Sequence, residues 1–146
     1  MLWAALLALV QTLQVGGAGS FTTIGDALAA AWPGDTIRVA AGTYHEKLVV
    51  EVPVTLLGEG RPVIDGEGEG TVIELRAAGA SVSGFHIRGS GRFLDQENAG
   101  ILVTADSCQV FDNVLSDVLF GIYLKDSHGS RVAGNTVEGK DRPLGQ

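Results

Sequence analysis

Hydrophobic positions change their spacing once along the chain. From Ser20 to Gly34 they recur every three or four residues, which is the spacing of one face of an α-helix. Thr23, with Asp26 three residues later, resembles a capping box, and Pro33–Gly34 ends the pattern. The sequence therefore predicts one short amphipathic helix over Phe21–Ala31.

After Asp35 the hydrophobic residues alternate with polar ones in short runs, separated by Gly, Asp, Asn and Ser. Such runs predict short β-strands joined by turns. Two different runs also recur at nearly fixed offsets. Gly100–Val103 returns 21 residues later as Gly121–Leu124, and Val110–Leu115 returns 22 residues later as Val132–Val137.

Earlier copies of both runs, Val72–Leu75 and Val82–Ile87, precede the next copy by 28 residues. The extra residues fall in the polar segment 89–99, which we interpret as a loop that protrudes from one coil. A repeat of about 22 residues is too small to bury its own hydrophobic face, so copies must stack. The sequence predicts an all-β fold, a right-handed parallel β-helix of about four to five coils, with the helix covering its N-terminal end.

Stacking predicts which side chains form continuous ladders in the interior. An antiparallel Greek-key sandwich, the competing fold, predicts no fixed offset between two different runs. Near one turn, Phe85, Asn113 and Asn135 share a column, where amide side chains can bond to the turn backbone. The predicted inward ladders are Ile73–Ile101–Ile122, Leu75–Val103–Leu124, Val82–Val110–Val132 and Ile87–Leu115–Val137.

Composition narrows the class of protein. The chain has 146 residues, of which 45 % are hydrophobic and 21 are glycine, so one turn-rich folded domain is expected. The formal net charge of −7 disfavours a nucleic-acid-binding protein, which needs clustered Lys and Arg. A single cysteine excludes an internal disulfide.

The N-terminus begins with an uncharged apolar run, Met1–Val10, followed by small residues before Ala18. About ten apolar residues are too few to cross a bilayer but suit a secretory signal peptide. We therefore divide the chain into a signal peptide at 1–18, a cap helix at 19–34 and a β-helix at 35–146, and expect no transmembrane span in the mature chain.

Four runs of the sequence are similar to those of a known family. The runs are Gly34–Glu46, Leu56–Gly66, Ser83–Gly91 and Val118–Leu124. In these runs the chain resembles the NosD family of periplasmic proteins, within the wider pectin-lyase-like class of β-helices, and the resemblance covers about residues 20–140. The first two runs are shared with many pectin-lyase-like proteins, and the last two are more particular to NosD-like ones.

The resemblance implies a role without catalysis. NosD-like proteins are understood as accessory proteins that help mature the copper centres of nitrous-oxide reductase, beside an ABC transporter made of a membrane subunit and an ATPase. We expect this chain to be exported to the periplasm and to bind no cofactor tightly, although copper binding is implied by the family. The β-helix is expected to be truncated near Gln146, so that its last coil leaves strand edges open to self-association.

Outward positions of the ladders provide the candidate binding surface. We expect Glu74, Arg76, His86, Tyr123 and Lys125 to line a groove for a partner protein or a sugar polymer, with Tyr123 stacking and the cations pairing with anions. An ordinary solvated sheet face is the alternative interpretation. A polysaccharide lyase or epimerase is the alternative function, but the acidic residues do not stack at one repeat position, so no catalytic residue is predicted.

Metal ligands are scarce in the sequence. Cys108 and His128 fall on turns of adjacent coils, and a thiolate with an imidazole suits Cu(I) or Zn. Two ligands make a weak site, so we keep them only as candidates. Asp65, Glu67 and Glu69, which alternate with glycine, are interpreted as turn residues that cap backbone N–H groups, with calcium binding as the alternative.

Overall fold

A computed structural model describes residues 9–141, and these residues form a right-handed parallel β-helix. One α-helix, α1 (Ile24–Ala30), lies near the start, and one short 3₁₀-helix spans Leu94–Gln96. The strands are β1 (Thr12–Val15), β2 (Thr36–Val39), β3 (Thr43–Tyr44), β4 (Leu48–Val50), β5 (Thr55–Gly58), β6 (Val63–Asp65), β7 (Ile73–Leu75), β8 (Ser81–Ser83), β9 (His86–Arg88), β10 (Ala99–Val103), β11 (Gln109–Phe111), β12 (Val114–Val118), β13 (Phe120–Leu124), β14 (Arg131–Ala133) and β15 (Thr136–Gly139).

The strands form three parallel sheets along the axis of the β-helix. Sheet A has the order β1-β2-β5-β8-β11-β14, sheet B the order β3-β6-β9-β12-β15, and sheet C the order β4-β7-β10-β13. Each strand therefore pairs with its equivalent one coil away. Four full coils begin at β2, β5, β8 and β11, with β1 before them and β14–β15 after them, which confirms the predicted fold.

Strand register confirms the predicted ladders. Ile101 pairs with Ile73 on one side and Ile122 on the other, and Val110 pairs likewise with Val82 and Val132. In the middle coils these inward side chains are at most 1 % exposed, so they form one continuous core. A repeat that cannot bury its own face becomes stable in this way, by contact with its neighbours.

The corner between sheets B and C, which we call the BC corner, absorbs the differences in repeat length. It holds three residues in the first coil (45–47), seven in the second (66–72), ten in the third (89–98) and one in the fourth (119). The predicted protruding loop is confirmed, and β10 begins at Ala99. The register on either side of the loop is unchanged because the insertion is confined to this corner.

The predicted asparagine column lies at the turn between sheets A and B. Asn113 Oδ1 accepts a hydrogen bond of 3.1 Å from the Phe85 N–H, and Asn135 Oδ1 accepts one of 2.9 Å from the Asn113 N–H. The Asn113 amide also donates to the Val82 carbonyl, at 3.2 Å. Each amide thus satisfies backbone groups in the coil before it, which a hydrophobic residue could not do.

The N-terminal end is closed by α1. Thr23 is the N-cap, since its hydroxyl accepts a hydrogen bond from the Asp26 N–H at 3.1 Å. Ile24 and Ala27 pack into the core beneath. The helix begins three residues later than predicted because Phe21 forms a parallel bridge with Val15 instead.

The predicted division at residue 18 differs from the structure, because β1 (Thr12–Val15) is the first strand of sheet A. The Gln11 N–H donates to Asp35 Oδ1 at 2.8 Å, and Val15 is buried. The β-helix therefore begins at Thr12 and not at residue 35, and cleavage near Ala18 would remove a core strand. Most of the apolar run, residues 1–8, lies outside the described residues, so export stays a prediction.

Candidate functional site

The outward face of sheet C brings together four of the five predicted groove residues. Glu74 and Tyr123 share one column, on either side of Leu102, because β7, β10 and β13 pair in register. Arg76 and Lys125 lie two residues later, just past the ends of β7 and β13, and contact groups on the same side of the sheet. We call this surface the sheet C face.

Charges on the sheet C face are paired with each other. Arg76 forms ion pairs with Glu74, at 2.8 Å, and with Glu51 in the preceding coil, at 3.3 Å. Lys125 Nζ lies 2.6 Å from Glu97 Oε2, and the Tyr123 hydroxyl lies 3.5 Å from Glu97 Oε1. Glu74 raises the pKa of Arg76 and Glu97 raises the pKa of Lys125. These cations are occupied by partners within the chain, so the face does not present an open anion site.

The BC loop, residues 89–98, stands beside this face and is held in place by buried polar groups. Ser90 and Asn98 are almost fully buried. The Ser90 hydroxyl accepts a hydrogen bond of 2.8 Å from the Leu119 N–H, and Asn98 Oδ1 accepts one of 3.0 Å from the Phe93 N–H. The loop therefore has a fixed conformation, which lowers the entropy cost of contacting a partner.

Two large hydrophobic side chains are exposed on the BC loop. Phe93 is 60 % exposed and Leu94 is 56 % exposed. The other large hydrophobic residues exposed among residues 9–141 lie nearer the two ends of the β-helix, and one of them, Val49 on β4, is also on the sheet C side. Exposed apolar side chains that cluster on one side of a domain indicate a contact surface. Sequence reasoning missed Phe93 and Leu94, although an apolar pair within a polar insertion was a signal.

His86 lies apart from the other four groove residues. It is on β9 in sheet B, where its Nε2 lies 2.7 Å from Ser116 Oγ on the next coil. Burial lowers its pKa, and the positive charges of Arg88 and Arg61 lower it further. The predicted groove is thus divided between two sheets, because His86 follows the turn at Gly84 and not the strand that carries Glu74.

The acidic turn after β6 contacts basic residues of neighbouring coils. Asp65 accepts a hydrogen bond of 2.8 Å from the Glu67 N–H and forms an ion pair of 3.1 Å with Arg88. Burial raises the pKa of Asp65, but these two partners outweigh it, and the pKa lies below its ordinary value. Glu69 lies 3.7 Å from Lys47. Of the three acidic residues, Asp65 alone caps a backbone N–H group in these contacts, and Glu67 lies 3.2 Å from His45.

Cys108 and His128 differ in burial and in repeat position. The Cys108 thiol is buried, with Sγ 3.5 Å from the Ala77 carbonyl, and its backbone N–H donates to Ser130, its equivalent in the next coil. His128 is exposed and lies against Asp106, at 3.3 Å. Burial raises the pKa of Cys108, which disfavours the thiolate that would bind a metal. Metal binding by this pair stays a prediction.

Within residues 9–141, no three His, Cys, Asp or Glu side chains are placed to hold one metal ion. In the same part of the chain, no helix has both the length and the hydrophobicity needed to span a membrane. The buried polar side chains there all have hydrogen-bond partners.

Comparison with known proteins places this geometry in a family. Residues 16–142 match a family described as a protein of unknown function, DUF1565. The chain belongs to the DUF1565 family. The matched residues run from the end of β1 past the end of β15, so the family definition covers the β-helix almost entirely.

Two curated relatives of this DUF1565 chain are named "Probable ABC transporter binding protein NosD". The one from Pseudomonas aeruginosa is 32 % identical over 105 residues, and the one from Stutzerimonas stutzeri is 25 % identical over 104 residues. Each alignment covers 70 % of this chain but 24 % of the relative, so the match spans about a quarter of their length. The resemblance to NosD-like proteins is confirmed over this part of the fold.

Solved structures confirm the fold of the DUF1565 chain. Two crystal structures of the pectin methylesterase from Aspergillus niger, in deglycosylated and penultimately deglycosylated forms, superpose with a TM-score of 0.70. The alignments cover 88 % of this chain and 50 % of the esterase, at 21 % identity. At that identity the likeness concerns the parallel β-helix alone.

Proposed function

We propose that this chain forms coils of a NosD-type accessory protein, without catalytic activity, that works in the periplasm beside an ABC transporter. The similarity to two proteins named as probable ABC transporter binding proteins carries the proposal. The membrane subunit is the component that the chain contacts, and the ATPase acts from the other side of the membrane. The outcome of this partnership is maturation of the copper centres of nitrous-oxide reductase.

The sheet C face and the BC loop form the docking surface in this proposal. Phe93 and Leu94 project from a loop whose conformation is fixed by buried Ser90 and Asn98, so they need little ordering on binding. A few side chains carry most of the affinity in protein interfaces, and aromatic residues such as Phe93 are enriched in interface cores. Because the charges of Arg76 and Lys125 are paired internally, they contribute specificity more than affinity.

A chimera tests the proposal. The matched segment of the Pseudomonas aeruginosa NosD is replaced by residues 9–141 of this chain, which include β1, and nitrous-oxide reductase activity and copper content are measured in a strain without its own NosD. We expect activity with the unchanged segment and loss of most of it with Phe93→Asp/Leu94→Asp. Thr55→Asp/Gln109→Asp, two exposed positions on sheet A, is the matched control and should retain activity. Equal activity of the two double variants would overturn the proposed surface.

Carbohydrate binding or processing is the second candidate function. The Tyr123 ring lies 5.6 Å from the Phe120 ring, next to Glu97 and Lys125, and this mixture of aromatic and charged groups is also found where sugars bind. Titration of the protein with alginate and pectate, with and without calcium, tests this candidate. Saturable binding that Tyr123→Ala abolishes, or release of unsaturated uronates, would favour it over the accessory role.

Self-association through the last coil is a separate part of the proposal. Hydrophobic ladder residues become exposed there, with Val132 41 % and Val137 50 % exposed. In the described residues, β13, β14 and β15 are the terminal strands of their sheets, and such edges pair readily with other chains. Sedimentation at increasing concentration should show reversible association, and Val132→Lys/Val137→Lys should weaken it. A monomer at all concentrations would contradict this part.

A further inference from the structure

A groove of about 370 Å³ lies between α1 and the first strand of sheet C. One face of the helix, Gly25, Leu28 and Ala29, forms one wall, and Leu48, Val49 and Val52 form the other. Glu46 fixes the distance between the walls, since its carboxylate accepts hydrogen bonds of 2.9 Å from the N–H groups of Ile24 and Gly25 at the start of the helix. The groove is therefore preformed and lined largely by apolar groups.

The wall of the groove that β4 forms is also a strand edge. Among residues 9–141, β4 is the terminal strand of sheet C and pairs on one side only, with β7. Leu48 and Val50 direct their backbone groups towards β7, as the bonds from the Leu48 N–H to the Val72 carbonyl and from the Arg76 N–H to the Val50 carbonyl show. Backbone groups alternate in direction along a strand, so the N–H and carbonyl of Val49 point into the groove.

A positive charge at one end of the groove and a negative charge at the other favour a ligand with the opposite charges at its two ends. Lys47 lies before β4 and Glu51 after it, at the rim. On the side of β4 that pairs with β7, Lys47 contacts an acid, Glu69, and Glu51 contacts a base, Arg76. Lys47 and Glu51 are four residues apart, so a second parallel strand meets complementary charges if it carries an acid first and a base about four residues later.

We propose that this groove, the α1–β4 groove, binds an extended peptide segment of a partner protein by addition of a parallel strand to β4. The segment carries an acidic residue, a central apolar residue and a basic residue, which face Lys47, the apolar walls and Glu51 respectively. Backbone hydrogen bonds to Val49 provide affinity, and the groove walls and rim charges provide specificity. The groove lining includes no residue of the BC loop, so this proposal does not depend on the contacts made by Phe93 and Leu94.

Binding of a labelled synthetic peptide tests the proposal on the full chain. The probe is Glu-Thr-Val-Thr-Arg with blocked termini, followed by fluorescence anisotropy, and Gln-Thr-Val-Thr-Gln is its uncharged counterpart. We expect saturable one-to-one binding of the charged probe and weaker binding of the uncharged one. Raised salt should reduce the difference, because the rim charges are exposed.

Matched variants locate the binding. Val49→Pro removes the N–H that points into the groove without breaking the bonds to β7, and should weaken binding about tenfold, whereas Val49→Ala keeps that N–H, shortens only the side chain in the groove wall, and should weaken binding less. Ala29→Trp fills the groove and should abolish binding. Ala30→Trp, which also places an indole on the exposed part of the helix but outside the groove lining, should leave binding unchanged.

Three results would overturn the proposal. One is the absence of probe binding, or binding that Ala29→Trp and Ala30→Trp affect equally. Another is a change of mass in sedimentation on Ala29→Trp, which would identify a second copy of the chain as the occupant. The third is probe binding that arises only after Leu6→Asp/Leu7→Asp, which would identify the chain's own N-terminal segment as the occupant.

Discussion

The two ends of the β-helix complete the same hydrophobic ladders in different ways. At the N-terminal end, α1 and β1 cover the core, and Val15 and Ile37 are almost fully buried. At the C-terminal end of the described residues, Val132, in the same ladder as Ile37, and Val137, in the ladder of Ile87 and Leu115, are about half exposed. In a stacked repeat each coil is stabilised by the next one, so we expect the first coils to be more stable than the last.

Polar side chains strengthen this difference. Asp35 is buried and accepts two backbone hydrogen bonds of 2.8 Å, from Gln11 at the start of β1 and from Trp32 just after α1. Glu46 does the same for the first turn of α1. Near the other end, Asn135 has an equivalent role but is partly exposed. A polar contact contributes more when it is protected from water, so the N-terminal contacts should be the stronger ones.

The largest expected effect is the loss of stability on truncating a buried ladder residue, compared with an exposed residue of the same ladder. Leu115→Ala removes a fully buried side chain and should lower the free energy of unfolding by about 3 kcal/mol. Val137→Ala, one coil later and half exposed, should lower it by less than about 1 kcal/mol. Urea unfolding of the two variants measures both values. Equal losses would mean that the last coil is covered in solution, for example by a second chain.

Asp35→Ala tests the polar contacts of the N-terminal end. The variant leaves the backbone N–H groups of Gln11 and Trp32 without their acceptor in a partly buried place, so we expect a loss of about 1 to 2 kcal/mol. Amide hydrogen exchange should accelerate in β1 and α1 before other elements. Asp26→Ala, which removes an exposed carboxyl from α1, serves as the control and should change the stability little. Uniform acceleration throughout the β-helix would contradict a local role for Asp35.

The asparagine column permits a finer comparison. Asn113 is buried and forms bonds in two directions, whereas Asn135 lies nearer the open end. We expect Asn113→Ala to cost about 2 kcal/mol and Asn135→Ala about 1 kcal/mol. Thermal or urea unfolding of both variants checks the order of the two effects. A larger loss for Asn135→Ala would show that exposure does not decide the strength of this column.

The smallest expected effect is a dependence on pH. Burial, with Arg88 and Arg61, holds the pKa of His86 below its ordinary value, so the unfolded chain binds a proton more readily than the folded one. The stability that His86 contributes is complete above the unfolded pKa of about 6.5 and is lost as the pH falls towards the folded pKa. His86→Gln should reduce the loss of stability on acidification, measured by urea unfolding at several pH values. An unchanged pH profile in this variant would show that His86 is not the group responsible.

Repetition made much of the fold predictable from sequence. Two runs at nearly fixed offsets were enough to align Ile73, Ile101 and Ile122, and the extra residues before Ala99 had to lie in a loop. The asparagine column followed from the same alignment. Nearest-neighbour contacts dominate a solenoid, so local sequence similarity carries directly into contacts.

The ends and the surface were harder to predict because they have no repeat to guide them. The sequence did not show that Thr12–Val15 forms a strand of sheet A, since this segment follows an apolar run and its partner β2 lies beyond the whole cap helix. His86 was grouped with residues of sheet C because an outward position does not tell which of three sheets carries it. The α1–β4 groove depends on the position of the helix, which Glu46 determines from 21 or 22 residues away.

The BC corner affects how β-helix proteins of this kind can evolve. Spacers of one, three, seven and ten residues occupy the same corner in successive coils, and the strands on both sides keep their alignment. The scaffold tolerates insertions and deletions there. New recognition loops can therefore evolve at this position without changes in the core. An inserted epitope tag or reporter peptide would be accommodated best at the tip of the longest spacer.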